Sequence, residues 1–263
     1  MTPVTLSIER RDRVAVVTFR RAEQLNAISS AMQAEITETF EALGRDDCIG
    51  AIVVTGEGRG FMAGADIKEY AAQSEPAFDD FQSRGRRMYA AIEQNRKPVI
   101  AAVNGYALGG GFELVLCCDL VVASRDAKLG LPEIKLALIP GGGGTQRSVR
   151  RLGRNRANYL LLTGGIFPAA NFEAWGLVNE VVDPVELMPR ALALATEIAA
   201  APVEATGGLK RLTQLAEGNA DLSHGLDREG EVVRRLFRSE VAKERVRAFA
   251  EKSAARAKRS NKL

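Results

Sequence analysis

Short apolar runs alternate with longer polar segments of helical spacing over the first two thirds of the chain. β-Branched and apolar runs predict buried strands at residues 14–19, 51–55, 99–103 and 119–123. Ser29 or Ser30 can cap a helix that extends to about Leu43, and the polar segment 73–97 predicts another helix with a solvated face. This alternation, which covers roughly residues 14–183, predicts an α/β layer structure.

The pattern changes after Pro184. From there the sequence predicts consecutive helices with no strand between them, at residues 185–200, 202–217, 222–237 and 241–257. We therefore expect an α/β core over residues 1–184 and an all-helical region over residues 185–263. Such a helical region cannot bury both of its faces alone, so we expect it to pack on its own domain or on a neighbouring subunit.

Composition is that of an ordinary globular protein. The 263 residues carry 36 Lys and Arg against 33 Asp and Glu, a net charge of +3, and 46% of them are hydrophobic. These values exclude wholesale disorder, a collagen-like repeat and a disulfide-dense miniprotein. The three cysteines lack a spaced framework, and the sequence contains no evident targeting or membrane-spanning segment. We expect a soluble, cytoplasmic protein without membrane contact.

Several motifs that would carry cofactor chemistry are missing. A glycine triplet at 56, 58 and 60 follows a predicted strand, but the dinucleotide-binding fingerprint needs glycine at position 61, which is Phe61. The sequence has no Gly-Lys pair for a nucleotide-phosphate loop, and His224 is its one histidine. We therefore expect no metal site and neither nicotinamide nor ATP chemistry.

Three segments follow predicted strands, at residues 60–68, 104–113 and 131–133, and the first two of them contain glycines. An open α/β sheet usually binds its ligand beyond the carboxyl ends of its strands, and glycine lets bare backbone approach that ligand. The glycines at 109–111 open into an apolar helix, whose first N–H groups have no internal partner. These N–H groups are candidate donors to an anionic oxygen. The alternative is that the glycines serve only turns and close packing.

Two carboxylates lie in apolar surroundings next to these glycines. Glu113 is one turn inside a helix that is otherwise apolar, and Glu133 follows Pro132 in the apolar segment 129–139. Burying a carboxylate without a partner is costly, so such a residue either meets a cleft or has a raised pKa. Both situations serve acid–base catalysis on water. A helix-capping role for Glu133 is the alternative.

These segments, in this order and at this spacing, are similar to those of a known family. They read AGADIK at 63–68, NGYALGGGFE at 104–113, PE at 132–133 and IPGGGGTQR at 139–147. From Val14 to about Phe249 the chain resembles the enoyl-CoA hydratase/isomerase, or crotonase, superfamily. The resemblance implies an α/β fold with a crotonase-like spiral core of ββα turns. It also implies a C-terminal helical region used in trimerisation, often within a dimer of trimers.

The resemblance further implies the reaction and its residues. The backbone N–H groups of Ala65 and Gly110 would hold the thioester oxygen of an acyl-CoA. Glu113 and Glu133 would add water across the 2,3 double bond of a 2-enoyl-CoA to give a 3-hydroxyacyl-CoA. No cofactor is implied, since coenzyme A is part of the substrate. The family's substrate path would also be lined by Ala63, Asp66, Ile67 and Lys68.

The acyl group and any second activity remain open in the sequence. Residues 135–137 and 141–144 resemble the branched-chain 3-methylglutaconyl-CoA hydratases, among whose relatives an RNA-binding enzyme exists. Basic residues cluster at 147–156 and again after Val241. Low aromatic content and small net charge favour a solvated face with sites for the phosphates of CoA over a nucleic-acid partner. A double-bond isomerase of the same family is the other alternative, although such relatives frequently lack one of the two glutamates.

Overall fold

The computed structural model describes residues 4–218 and 221–260, and for residues 252–260 the backbone alone. The strands within these ranges are β1 (Leu6–Arg11), β2 (Val14–Phe19), β3 (Ala51–Gly56), β4 (Gly60–Met62), β5 (Val99–Val103), β6 (Tyr106–Leu108), β7 (Leu120–Ser124), β8 (Lys128–Gly130), β9 (Ile166–Pro168) and β10 (Glu180–Val182). The α-helices are α1 (Ser30–Arg45), α2 (Ile67–Ala71), α3 (Glu75–Glu93), α4 (Gly110–Cys117), α5 (Gly144–Thr163), α6 (Ala169–Ala174), α7 (Leu187–Ala199), α8 (Val203–Glu217), α9 (Leu222–Phe237) and α10 (Glu240–Ser260).

The strands form two sheets that the chain visits alternately. One sheet has the order β1-β2-β3-β5-β7-β10 and the other the order β4-β6-β8-β9. Neighbouring strands are parallel except for β1 with β2 and β8 with β9. Each of the pairs β3–β4, β5–β6 and β7–β8 gives one strand to each sheet and is followed by a helix. The mixed α/β architecture of repeated ββα turns is therefore confirmed.

The larger sheet is covered on both faces, which explains its continuous apolar strands. On β2, Ala15 and Val17 belong to the main core, while Val14 and Val16 belong to a second apolar cluster on the opposite face. Side chains of α7 at 187, 191, 195 and 199 complete that second cluster. All four strands expected from the sequence are present, and the short strands of the smaller sheet are additions that apolar runs did not indicate.

The helix starts follow local hydrogen bonding. Ser29 caps α1, because its side-chain oxygen accepts a hydrogen bond from the N–H of Met32 at 3.2 Å. The one helix expected over residues 73–97 is wrong in its bounds. Asp66 caps the short helix α2, and α3 then begins after Ser74, with a proline in its first turn, and ends at Glu93.

The chain separates into two compact units, Met1–Val203 and Glu204–Leu263. The last of the described strands, β10, ends at Val182, and the first unit extends beyond it because α7 packs against β3, β5 and β7. The division into a core over residues 1–184 and a helical region over residues 185–263 stays a prediction. In the second unit, α9 bears exposed apolar side chains at Leu222, Leu226, Val233 and Phe237. The use of this region in trimerisation stays a prediction.

Gly111 fixes the approach of α4 to the smaller sheet. A Cβ built on Gly111 would lie 1.8 Å from the carbonyl oxygen of Met62 in β4. No L-residue with a side chain fits at that distance, so the first turn of α4 lies directly against β4. This contact sets where the N-terminus of α4 points.

We expect Gly111→Ala to destabilise the protein by about 3 kcal/mol or more, because the clash is with backbone that cannot move aside. Thermal unfolding followed by circular dichroism measures the effect. The matched control is Gly225→Ala in α9, where an added Cβ meets nothing within 4 Å and should raise helix stability slightly. Equal midpoints for the wild type and Gly111→Ala would contradict this account of the contact.

Candidate active site

The three segments that the sequence singled out meet at one edge of the smaller sheet. Residues 63–65 follow β4, residues 109–110 follow β6 and residues 132–133 come shortly after β8, and these are adjacent parallel strands. Their carboxyl ends therefore open on a common cavity of about 190 Å³. The strands that directly precede these segments are β4, β6 and β8 of the smaller sheet. The sequence predicted only the strands before them in the chain, β3, β5 and β7 of the larger sheet.

Ala65 and Gly110, which line this cavity, have peptide N–H groups without a hydrogen-bond partner within the described residues. The strand-like bridge between Ile28 and Ala65 consists of two hydrogen bonds: the N–H of Ile28 donates to the carbonyl of Gly64, and the N–H of Asp66 donates to the carbonyl of Ile28. The N–H of Ala65 itself is left without a partner within the described residues. Gly110 is the first residue of α4, so its N–H likewise has no partner within the helix. A Cβ on Gly64 would lie only 3.9 Å from the nitrogen of Gly110. Two unused donors beside a helix N-terminus suit an anionic oxygen.

Backbone conformation at the turn depends on glycine. Gly109 has φ 51° and ψ −123°, and Gly64 has φ 86°, both in regions that other residues rarely adopt.

Tyr89, which is buried on α3, donates a hydrogen bond from its hydroxyl to the carbonyl of Gly110 at 3.0 Å. Burial raises the pKa of the Tyr89 hydroxyl well above its usual value, and the nearby Glu113 adds to the effect. Tyr89 was missed by sequence reasoning, which placed it in a helix without identifying its face.

Glu113 is almost fully buried, with a relative exposure of 3%. Its Oε1 accepts hydrogen bonds from the N–H of Gly142 at 2.8 Å and from the N–H of Gly144 at 2.7 Å. Burial raises the pKa of Glu113, and these two N–H groups together with Arg147 oppose that rise. The donors to its oxygen favour the carboxylate form, which is the form that can accept a proton from water.

An ion pair holds the loop that orients Glu113. Arg147 donates to both carboxylate oxygens of Glu93, at 2.6 and 2.8 Å, and its Nη1 donates to the carbonyl of Gly142 at 2.6 Å. The sequence placed Arg147 in a basic cluster on a solvated face. That interpretation is wrong for this residue, whose side chain is mostly buried and engaged by protein groups. The available signal was Arg147 three residues after the glycine run at 141–144.

Glu133 has a different environment. It lies in a 3-10 turn, Pro132–Leu136, which no side chain caps. Its Oε2 is buried without a hydrogen-bond partner in the described part of the chain. Burial, with a smaller contribution from the charge of Glu113, raises the pKa of Glu133 to about 7. A Cβ on Gly109 would lie 2.9 Å from Oε1 of Glu133, so this carboxyl group stands directly beside the donor turn.

The structure brings together most, but not all, of the residues expected at the site. Ala63, Ala65, Ile67, Gly110 and both glutamates line the cavity. Asp66 and Lys68 are not in its wall. The carboxylate of Asp66 caps α2 and pairs with Arg21 at 2.8 Å, which lowers its pKa, while Lys68 is exposed. Contact of these two residues with a substrate stays a prediction.

The described residues contain no group of three or more His, Cys, Asp or Glu side chains placed to hold a metal ion. Likewise, none of the helices in that part of the chain has the length and apolar character needed to cross a membrane.

Comparison with known proteins gives consistent results over nearly the whole chain. Residues 9–259 match the family model described as enoyl-CoA hydratase/isomerase. A probable enoyl-CoA hydratase of Mycobacterium bovis is 41% identical over 254 residues, which is 97% of this chain and 98% of the relative. A crotonyl-CoA hydratase of Syntrophomonas wolfei is 36% identical over 250 residues, 93% of this chain and 94% of that protein. The crystal structure of an enoyl-CoA hydratase from Bacillus anthracis superposes with a TM-score of 0.92 at 35% identity and covers 95% of this chain and 97% of its own.

The two carboxyl groups should titrate as an interacting pair. We expect Glu113→Gln to lower the pKa of Glu133 because a neighbouring negative charge is removed, although burial should keep it above the ordinary value. A ¹³C NMR titration of side-chain carboxyl groups, assigned by comparison with Glu133→Gln, measures the change. The control Glu41→Gln removes an exposed glutamate of α1 and should leave the Glu133 titration unchanged. An unchanged or raised pKa in Glu113→Gln would show that the two groups do not interact.

Proposed function

The chain belongs to the enoyl-CoA hydratase/isomerase family and is an enoyl-CoA hydratase, a hydro-lyase, and from this premise we propose how its residues carry the reaction. Water adds reversibly to the 2,3 double bond of a 2-enoyl-CoA, giving a 3-hydroxyacyl-CoA, with Glu113 and Glu133 as the acid–base pair. The observation that carries the proposal is that both glutamates line one cavity together with Ala65 and Gly110, whose N–H groups have no partner within the described residues.

The two N–H groups bind the thioester carbonyl oxygen. As the hydroxyl group bonds to C3, electron density moves through C2 to this oxygen, and the negative charge there grows. Donors already fixed at the start of α4 stabilise that charge without reorganising, aided by the partial positive charge of the helix N-terminus. Removal of one such donor typically costs about 10²–10³-fold in turnover.

The different surroundings of the glutamates assign their roles. Glu113, whose oxygen accepts two N–H hydrogen bonds, is the carboxylate that removes a proton from water. Glu133, which has a raised pKa and no donor on Oε2, is the protonated group that delivers a proton to C2. Together the steps place OH on C3 and H on C2. The pair holds one proton before and after the reaction, on Glu133 first and on Glu113 afterwards.

Hydration needs no group other than these residues, water and the substrate, so we propose no cofactor. A double-bond isomerase moves one proton between two carbons and has no need of a second carboxyl group to activate water. The presence of both glutamates in one cavity wall supports hydration.

The assembly, location and partners are further parts of the proposal. We expect a homotrimer or a dimer of trimers in the cytoplasm that acts in fatty-acid metabolism. The exposed apolar side chains of α9 support assembly, and three free cysteines support a reducing compartment.

A nucleic-acid partner is not part of the proposal. In the basic cluster at 147–156, Arg147 pairs with Glu93, Arg151 donates to the carbonyl of Cys118 and Arg156 to that of Trp175. These guanidinium groups are therefore already engaged with protein. The side chains of the basic tail beyond Glu251 lie outside the described residues.

The roles of the two glutamates are tested by replacing each with its amide. We expect Glu113→Gln and Glu133→Gln each to lower kcat for crotonyl-CoA hydration by roughly 10²–10⁴-fold, since each loses a positioned base or acid. The decay of the conjugated-thioester absorbance measures the rate. Exposed Glu41→Gln is the matched control and should keep the wild-type rate. Wild-type rates in both active-site variants, with folding unchanged by circular dichroism, would remove the assignment.

A pH profile tests the shared proton. We expect kcat/KM for hydration to fall as the pH rises above about 7, because the free enzyme then loses the proton held on Glu133. The kcat/KM for dehydration of the 3-hydroxyacyl-CoA should fall over the same pH range. The reaction exchanges no proton with the solution, so the ratio of the two kcat/KM values is an equilibrium constant that does not vary with pH. A flat hydration profile from pH 6 to 9 would contradict a single shared proton.

A further inference from the structure

Gln33 places a buried, unpaired amide oxygen in the wall of the catalytic cavity. It lies on α1, and its relative exposure is 2%. Its Nε2 donates to the carbonyl of Phe81 on α3 at 3.2 Å, whereas its Oε1 has no hydrogen-bond partner within the described residues. The bond to a carbonyl oxygen fixes the orientation of the amide, because a flipped amide would set two acceptors against each other.

An acceptor left in this state is unusual. Buried polar atoms in native proteins nearly always have a partner, and a missing one costs stability. An apolar residue would fill the same position on α1 without that cost. Because Gln33 borders the substrate cavity, a group of the substrate can supply the missing donor.

The surroundings of Gln33 limit what that donor can be. Ile28 and Phe81 make this part of the wall apolar, and Gln82, the other amide of the wall, hydrogen-bonds with the hydroxyl of Tyr70. Of the described residues that line the cavity, none is Lys, Arg or His. A carboxylate on the acyl chain would therefore meet an acceptor and two glutamates, with no cation in the described lining to balance its charge. A neutral donor meets no such penalty.

Gly85 leaves room beside the amide. It is buried on α3 and also lines the cavity, and a Cβ there would approach Nε2 of Gln33 to 3.2 Å. A larger residue at this position would press on the amide that the Phe81 carbonyl holds. The absence of a side chain at Gly85 thus leaves space between the Gln33 amide and the rest of the cavity wall.

From these observations we propose that Oε1 of Gln33 accepts a hydrogen bond from a neutral hydroxyl group on the acyl chain of the substrate. Gln33 is then a specificity-determining residue. The preferred substrates are 2-enoyl-CoA thioesters whose acyl chain carries a hydroxyl group, in preference to plain alkyl chains and to chains that end in a carboxylate. This inference rests on the proposed hydratase function and specifies its substrate class.

The test compares matched thioesters of graded length. Hydration of ω-hydroxy-2-enoyl-CoAs, of the unsubstituted 2-enoyl-CoAs and of the ω-carboxy compounds is measured with the wild type, Gln33→Met and Gln24→Met. Methionine matches the length of glutamine without its polar atoms, and Gln24 is an exposed residue outside the cavity, which makes it the control. The ratio of kcat/KM with and without the hydroxyl group is formed within each protein, so a general loss of activity in a variant does not affect it.

At the chain length that reaches Gln33, we expect the hydroxyl group to raise kcat/KM about tenfold or more in the wild type. This advantage should disappear in Gln33→Met and persist in Gln24→Met, and the ω-carboxy compounds should be the poorest substrates. Equal rates with and without the hydroxyl group at every length, or the same advantage in Gln33→Met, would overturn the inference. If crotonyl-CoA is hydrated in that case, the proposed function stands without it; if no thioester is hydrated by the wild type, the proposed function itself fails.

Discussion

The buried carboxylate of Glu113, held by the N–H groups of Gly142 and Gly144, is the interaction on which the site depends. An unpaired carboxylate at this depth would take up a proton or force the helix to move. The two peptide donors let the charge exist inside the protein. Arg147 binds the carbonyl of Gly142 and is itself held by Glu93, so the loop, the ion pair and Glu113 form one continuous network. The role proposed for Glu113 therefore depends on the packing of α3, α4 and α5.

The second glutamate shows how environment separates two chemically identical groups. Glu113 has donors on its oxygen, while Oε2 of Glu133 is buried without one, and Glu133 titrates near neutral pH for that reason. An acid and a base of the same residue type can then act at the same pH. Their mutual repulsion reinforces the difference, since ionisation of one group disfavours ionisation of the other. The geometry thus supports a single proton that passes between the two groups in each catalytic cycle.

Parallel strands and glycines bring these groups together. The ends of β4, β6 and β8 lie side by side, so segments far apart in the chain meet at one cavity. The close approach of Gly111 to Met62 and the positive φ of Gly109 set the start of α4, where the N–H group of Gly110 has no partner within the helix. The turn and packing role that the sequence offered for the glycines is therefore present, and the donor role stays part of the proposal.

From the sequence alone the α/β class, the long strands and most of the helices could be predicted, and Glu113, Glu133, Ala65 and Gly110 could be named as candidate site residues, which line one cavity. These features depend on local periodicity, on the cost of placing a charge in an apolar segment, and on motifs whose order and spacing resemble those of a known family. The folded structure alone shows which residues far apart in the chain form pairs: Tyr89 with Gly110, Arg147 with Glu93, and Asp66 with Arg21. The last of these pairs lies outside the cavity wall. The structure also shows that Gln33 borders the cavity. A polar residue within an amphipathic helix does not reveal from the sequence which part of the protein it contacts. A hydrogen bond between residues far apart in the chain requires the fold to bring donor and acceptor close together. That placement is set by the packing of all the helices and strands.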